Sequence, residues 1–124
     1  MNKSHYFYRT AVYCENGGQP ALCDIHNLAH ITPLEPWFGV VIPLADGQHT
    51  LGEMLQNISQ RYQGNPPDNL EQTLASVIER LIEGKLLVTT SEPVTLPYYL
   101  AHPVEMLDIK KAKQLMAEDG LTQQ

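Results

Sequence analysis

The sequence predicts an α+β domain in which a small antiparallel sheet precedes a three-helix core. Three observations carry that expectation. Residues 6–15 are rich in aromatic and β-branched side chains, the composition of a strand. Thr50 and Glu53 have the T-x-x-E spacing of a capping box, in which each side chain satisfies the other residue's orphan amide at a helix start. From Leu51 onward, apolar residues recur at helical spacing rather than in alternation.

Tyr6, Tyr8, Thr10, Val12 and Cys14 share one parity, so residues 6–15 read as a single strand. The run Glu15-Asn16-Gly17-Gly18-Gln19-Pro20 is a turn segment leading into a second strand at 21–25. His26-Asn27 then serves as a tight turn into a third strand at 28–32. These three strands make an antiparallel meander, which is stable only if another element covers one face.

Pro36 suits the first position of a helix. Trp37, Val40, Val41 and Leu44 follow as one apolar stripe, and Pro43, with no amide to donate, should bend or stop that helix. Asp46-Gly47 marks a turn, because Asp folds its side chain onto the backbone and Gly tolerates positive φ. The helix starting at Thr50 runs toward Tyr62 and buries Leu51, Met54, Leu55 and Ile58. Asp68 and Glu71 repeat the capping signature. The helix over 70–83 buries Leu70, Leu74, Val77, Ile78, Leu81 and Ile82, and Gly84 ends it as the C′ residue. With Gln63-Gly64-Asn65-Pro66-Pro67 between them, these two helices read as helix-turn-helix. Residues 86–90 and 94–98 flank Ser91-Glu92-Pro93 as a β-hairpin, and in this position a hairpin is a wing. Pro103 opens one more helix, reaching Ala117, with Leu107, Ala112, Leu115 and Met116 as its contacts. The expected architecture is winged-helix-like over residues 1–99, with a C-terminal helical extension over 100–124.

At 124 residues the chain is one domain, long enough to bury about 65% of its unfolded surface. Fourteen acids against eight bases give a formal charge of −6, which opposes both phosphate backbones and anionic membranes. Neither nucleic acid nor a membrane is therefore expected as a partner. No apolar segment follows Lys3, so a signal peptide is not expected, and no apolar run approaches the ~20 residues of a spanning helix. The expected address is cytoplasmic, where Cys14 and Cys23 stay reduced rather than bridging across the first turn.

Cys14, Cys23, His26 and His30 are all legitimate zinc ligands, but their spacing argues against a site. Cys23 and His26 have opposite parity, and no close C-x-x-C pair is present. Ser4, Ser59, Ser76 and Ser91 lie in no nucleophile elbow. Asp46 and His49 are accounted for by turn and cap chemistry. Neither G-x-G-x-x-G nor a P-loop occurs. No catalytic residue, metal or cofactor is expected. For a DNA reader, the face of the third helix opposite its apolar stripe carries Gln72, Thr73, Ser76, Glu79, Arg80 and Glu83, which lacks the needed excess of cations. The cluster Lys110-Lys111-Lys113 reads as a solvated helix face.

Two family resemblances attach to these residues. Leu22-Cys23-Asp24 through Glu35-Pro36 into Leu44-Ala45-Asp46-Gly47-Gln48-His49-Thr50 resembles the strand-helix-"L-x-D-G-x-x-T" signature of PqqD-like peptide-binding domains, the recognition elements for modified peptides. Asn27-Leu28-Ala29-His30 followed by Ile42-Pro43-Leu44-Ala45-Asp46-Gly47, with Arg9 upstream, is similar to the winged-helix C-terminal domain of regulatory-domain-containing, protein-lysine-methyltransferase-like methyltransferases. Both resemblances span residues 6–90, and neither family has catalytic residues in this domain. Glu35 stands where PqqD-like domains usually have Asn, and residues 100–124 have no counterpart in them.

Together these readings predict a non-catalytic accessory module that binds a peptide or protein partner and serves a methyltransferase or a peptide-modifying enzyme. A peptide would add as a strand beside Leu28, Ala29, His30 and Ile31, with the His30 amide as an edge donor and Glu79 and Arg80 as polar anchors. The C-terminal helix is a candidate dimer surface. The alternative is a winged-helix DNA-binding regulator.

Overall fold

A computed structural model describes residues 1–16, 18–63 and 65–120 of the chain. The expected turn residue Gly17, the linker residue Gly64 and the end of the extension at 121–124 lie outside the described residues. In order, the elements are β1 (Tyr6–Arg9), β2 (Tyr13–Asn16), β3 (Gln19–Asp24), β4 (Asn27–Pro33), α1 (Pro36–Leu44) and β5 (Asp46–Thr50). Then come α2 (Leu51–Gln60), α3 (Leu70–Glu83), β6 (Leu87–Thr90), α4 (Tyr98–Ala101), a 3-10 turn at Val104–Met106, and α5 (Ile109–Glu118). The fold is α+β, with two antiparallel three-stranded sheets ordered β5-β1-β6 and β2-β3-β4.

The meander is present, but its first strand is only the second half of the expected one. Between Arg9 and Tyr13 the chain changes sheets. Thr10 N still donates to Leu86 O beyond β6 at 3.0 Å, whereas Val12 O already accepts from Cys23 N of β3 at 3.1 Å. Alternation in β1 sets one parity inward. Phe7 and Arg9 are buried there, not Tyr6 and Tyr8.

The expected wing hairpin does not form. β6 pairs with β1 from Tyr6↔Thr90 to Arg9↔Leu87, and residues 94–97 belong to no strand. Val94 N instead donates to Gly47 O at 2.8 Å, and Val94 O accepts from Gln48 Nε2 at 2.8 Å. Pro93 and Pro97 lack two of the amides that a second wing strand would use.

The capping box at the start of α2 is complete. Thr50 Oγ1 accepts from Glu53 N at 3.1 Å, and Glu53 Oε1 accepts from Thr50 N at 2.8 Å. Just before it, Asp46 Oδ1 accepts from Gln48 N at 2.9 Å, and Gly47 sits at φ +78°. A β-carbon at Gly47 would collide with the carbonyl of Val94. At the start of α3 the second expected capping box is absent: Asn69 is the N-cap without a side-chain bond, and Glu71 pairs with Lys3 at 2.8 Å.

The end of α3 differs from expectation by one residue. Gly84 has φ −79°, and Lys85 takes the left-handed conformation at φ +60°. Leu86 N reaches Leu81 O at 2.9 Å and Lys85 N reaches Ile82 O at 3.0 Å, which is a Schellman motif with lysine at C′. Ile82, expected in the core, is 40% exposed.

The main core lies where α1, α2 and α3 cover the sheet β5-β1-β6, around Phe7, Val41, Ile42, Leu74, Leu81 and Leu87. α1 ends at Leu44, one residue past Pro43, as expected. The C-terminal extension is not one helix from Pro103. It is α4, the 3-10 turn, and α5 capped by Asp108, whose Oδ1 accepts from Lys111 N at 3.1 Å. Tyr98 Oη accepts from Asp108 N at 2.8 Å and fixes that break. Among the described residues no helix is long and apolar enough to cross a membrane.

Candidate partner-binding site

β4 is the edge of its sheet, and every one of its residues is exposed. It pairs with β3 at Ala21↔Pro33, Leu22↔Thr32 and Cys23↔Ile31, and the next partners are Asp24↔Asn27. Over that last step β3 advances by one residue and β4 by four, so Leu28, Ala29 and His30 form a bulge. The hairpin turn is therefore Ile25-His26, not His26-Asn27, and Asp24 Oδ1 secures it by accepting from His26 N at 2.8 Å.

Backbone direction follows from the alternation of an antiparallel ladder. Cys23 N points to the β2 side of β3, where the carbonyl of Val12, the residue before β2, accepts it. Cys23 and Ile31 are consequently a non-hydrogen-bonded pair, and Leu22 and Thr32 are the bonded one. The amide and carbonyl of Ile31 therefore face outward from the sheet, while those of Thr32 are used by β3. Ile31, rather than His30, presents the outward amide in the regular ladder. The Leu28 and Ile31 side chains are 43% and 37% exposed, giving the edge an apolar character.

The other edges differ. The outer amide of Glu15 on β2 donates to the Glu105 carboxylate at 3.1 and 3.2 Å, so the 3-10 turn covers β2. The segment at Val94 bonds to β5. β6 is also an edge strand, but it has only 4 residues and Leu87 is buried.

The two expected polar anchors separate. Arg80 Nη2 donates to both carboxylate oxygens of Glu35 at 3.2 Å, and its guanidinium lies over the Phe38 ring at 5.0 Å. Glu35 follows β4 by two residues, so Arg80 is brought to that end of the strand. Both partners are exposed, so the ion pair contributes little stability and leaves Arg80 able to exchange partners. Glu79 instead lines a groove of about 400 Å³ with Met1, His5, Ser76, Ile82 and Thr89.

Cys14 and Cys23 lie on one face of the meander and are not joined by a disulfide. Burial, helped by the neighbouring Cys14, pushes the Cys23 thiol up to about 11, which holds it in the unreactive protonated form. Among the described residues, no group of three or more His, Cys, Asp or Glu is placed to hold a metal ion. Asp46 and His49 form an exposed pair at 3.1 Å through Nδ1.

Two residues have structural roles that the sequence did not assign: Arg9, named there only within a family resemblance, and Ile25, placed there at the end of a strand. Arg9 is buried and donates to four backbone carbonyls. Ile25, expected at the end of the second strand, lies in the two-residue turn and is 2% exposed. Comparison of the chain with protein-family models, with curated proteins and with solved structures found no match.

Proposed function

We propose that the chain is a non-catalytic α+β module that binds an extended peptide or protein segment by strand addition along β4. The observation that carries this reading is the outward amide and carbonyl of Ile31 on an edge strand whose residues are all exposed. A partner strand satisfies such groups with main-chain hydrogen bonds and takes its selectivity from neighbouring side chains. Leu28 and Ile31 supply apolar contact, and Arg80 supplies a cation at the far end of the strand. The bulge at 28–30 limits indiscriminate pairing, because it breaks the register of a long flat edge. Resemblance to PqqD-like domains and to methyltransferase winged-helix domains supports an accessory role beside a peptide-modifying enzyme or a methyltransferase. DNA is disfavoured as the ligand: the exposed face of α3 carries Glu71, Glu79 and Glu83 against the single cation Arg80.

The test is a random-peptide display selection on the immobilised chain, followed by titration of selected peptides against Ile31→Pro. Losing one main-chain hydrogen bond should weaken binding about tenfold while circular dichroism stays unchanged. Peptides that bind both chains equally would overturn strand addition at β4.

A further inference from the structure

We infer that the C-terminal unit, residues 98–119, is a brace that grips the tip of the β3–β4 hairpin through Ile25 and so holds the docking strand in place. Its use in docking rests on the reading of β4 given above; its mechanical role does not.

A second apolar cluster, separate from the main core, has Ile25, Tyr99 and Ala112 at its centre, at 2%, 2% and 0% exposure. Tyr98, Leu100, Leu107, Ile109, Leu115 and Met116 surround them. Ile25 is the sole member of this cluster from outside the C-terminal unit among the described residues. The turn that joins β3 to β4 therefore inserts its one apolar side chain into a socket built by α4 and α5. The socket is closed internally by the Tyr99 hydroxyl, which donates to Asp119 Oδ2 at 2.7 Å. It is moored to the remainder of the chain by Arg9 Nε on Leu100 O at 2.8 Å and by Glu105 on the β2 amide.

β4 needs such support. It is bonded on one side only, it is exposed along its length, and a three-residue bulge interrupts its ladder. The small three-stranded sheet it belongs to is stable only when another element packs against it, and β4 is its outermost and least supported strand. Fixing its tip removes conformations that a partner would otherwise have to suppress on binding, which raises the competent fraction and the apparent affinity.

Hydrogen exchange on the full chain tests this without any partner. Ile25→Ala should accelerate exchange of the β3 and β4 amides about tenfold, because deletion of buried methyl groups loosens the socket locally. Amides of β1 and β6 should keep the parent rates. If Ile25→Ala fails to fold, Tyr99→Phe opens the same socket from the other side, and loss of its hydrogen bond should raise β3–β4 exchange about fivefold. Exchange that rises equally in both sheets, or in neither, would overturn the brace. With a peptide selected on the parent chain as probe, affinity for Ile25→Ala should fall about tenfold, in step with exchange. Unchanged affinity beside faster exchange would overturn the link to docking. If no peptide is selected at all, the β4 reading fails, and the brace stands or falls on exchange alone.

Discussion

Arg9 Nε donates to the carbonyl oxygen of Leu100 at 2.8 Å, joining the first strand to the C-terminal unit. The Nη1 of the same guanidinium reaches the carbonyls of Ile42, Pro43 and Ala45 at 3.2, 3.3 and 3.1 Å. Those carbonyls close α1, where unsatisfied acceptors and the negative end of the helix dipole favour a cation. The side chain is 2% exposed and lies over the Tyr13 ring at 4.7 Å. Burial pulls its pKa below the ordinary value, with Tyr13 and Asp46 opposing.

Replacing Arg9 by Met should cost about 3–5 kcal/mol, because four carbonyls, two of them in buried bonds, lose the guanidinium. Arg9→Lys should recover less than half of that, since an ammonium cannot reproduce the planar fork. Urea midpoints of the two variants check both statements.

Lys85→Gly should raise stability by about 1 kcal/mol. Lys85 holds φ +60° at the C′ position, a conformation that costs a residue with a β-carbon about 1–2 kcal/mol. The gain is less than the full cost, because Gly is also freer in the unfolded chain. A lower urea midpoint would mean that the lysine side chain contributes a contact outweighing the strain.

Thr50→Ala should cost about 1 kcal/mol through loss of the capping box. Leu74→Ala, at 0% exposure in the main core, should cost about 2–5 kcal/mol. Chemical denaturation that ranks Thr50→Ala as the more damaging change would contradict the packing of α3.

Stability should fall in alkali as three groups with raised pKa values ionise: Cys23, Tyr99, and Tyr13, whose phenol is also pushed up by burial. The Cys23 thiol is raised from 9.0 to about 11 by burial and by Cys14. The Tyr99 hydroxyl is raised from 10.0 to about 12 by burial, by its bond to Asp119 and by that residue's charge. In each case the folded pKa exceeds the unfolded one. The contribution is therefore complete below the unfolded value and is lost as pH rises through the folded value. Tyr99→Phe should shrink the upper part of the decline in a thermal series across pH 9 to 12, and leave the lower part.

Local signals were legible in the sequence and non-local ones were not. The Thr50–Glu53 box, the positive φ of Gly47, Pro36 opening α1 and the apolar stripe of α3 each depend on residues within one or two turns. The split of residues 6–15 was hidden because alternation continues through Thr10-Ala11-Val12 while the hydrogen-bond partner changes from Leu86 to Cys23. Arg9 disguised the inward face of β1, since a buried cation reads as a solvent residue. The wing failed because β6 is completed by β1, some eighty positions earlier, and no local pattern encodes that pairing. At the candidate site, the exposed edge was legible from strand order. Its bulge and the socket around Ile25 depend on register and on the C-terminal unit, neither of which periodicity reports.

Strand addition at β4 is tested most directly by the exchange rate of the Ile31 amide, free and saturated with a selected peptide. That amide faces outward and is unbonded within the sheet, so it should exchange rapidly in the free chain. On saturation it should slow by about tenfold or more, as the peptide carbonyl accepts its hydrogen bond, while the Thr32 amide changes little. A peptide that saturates the chain and leaves the Ile31 amide exchanging at its free rate would contradict strand addition at this edge.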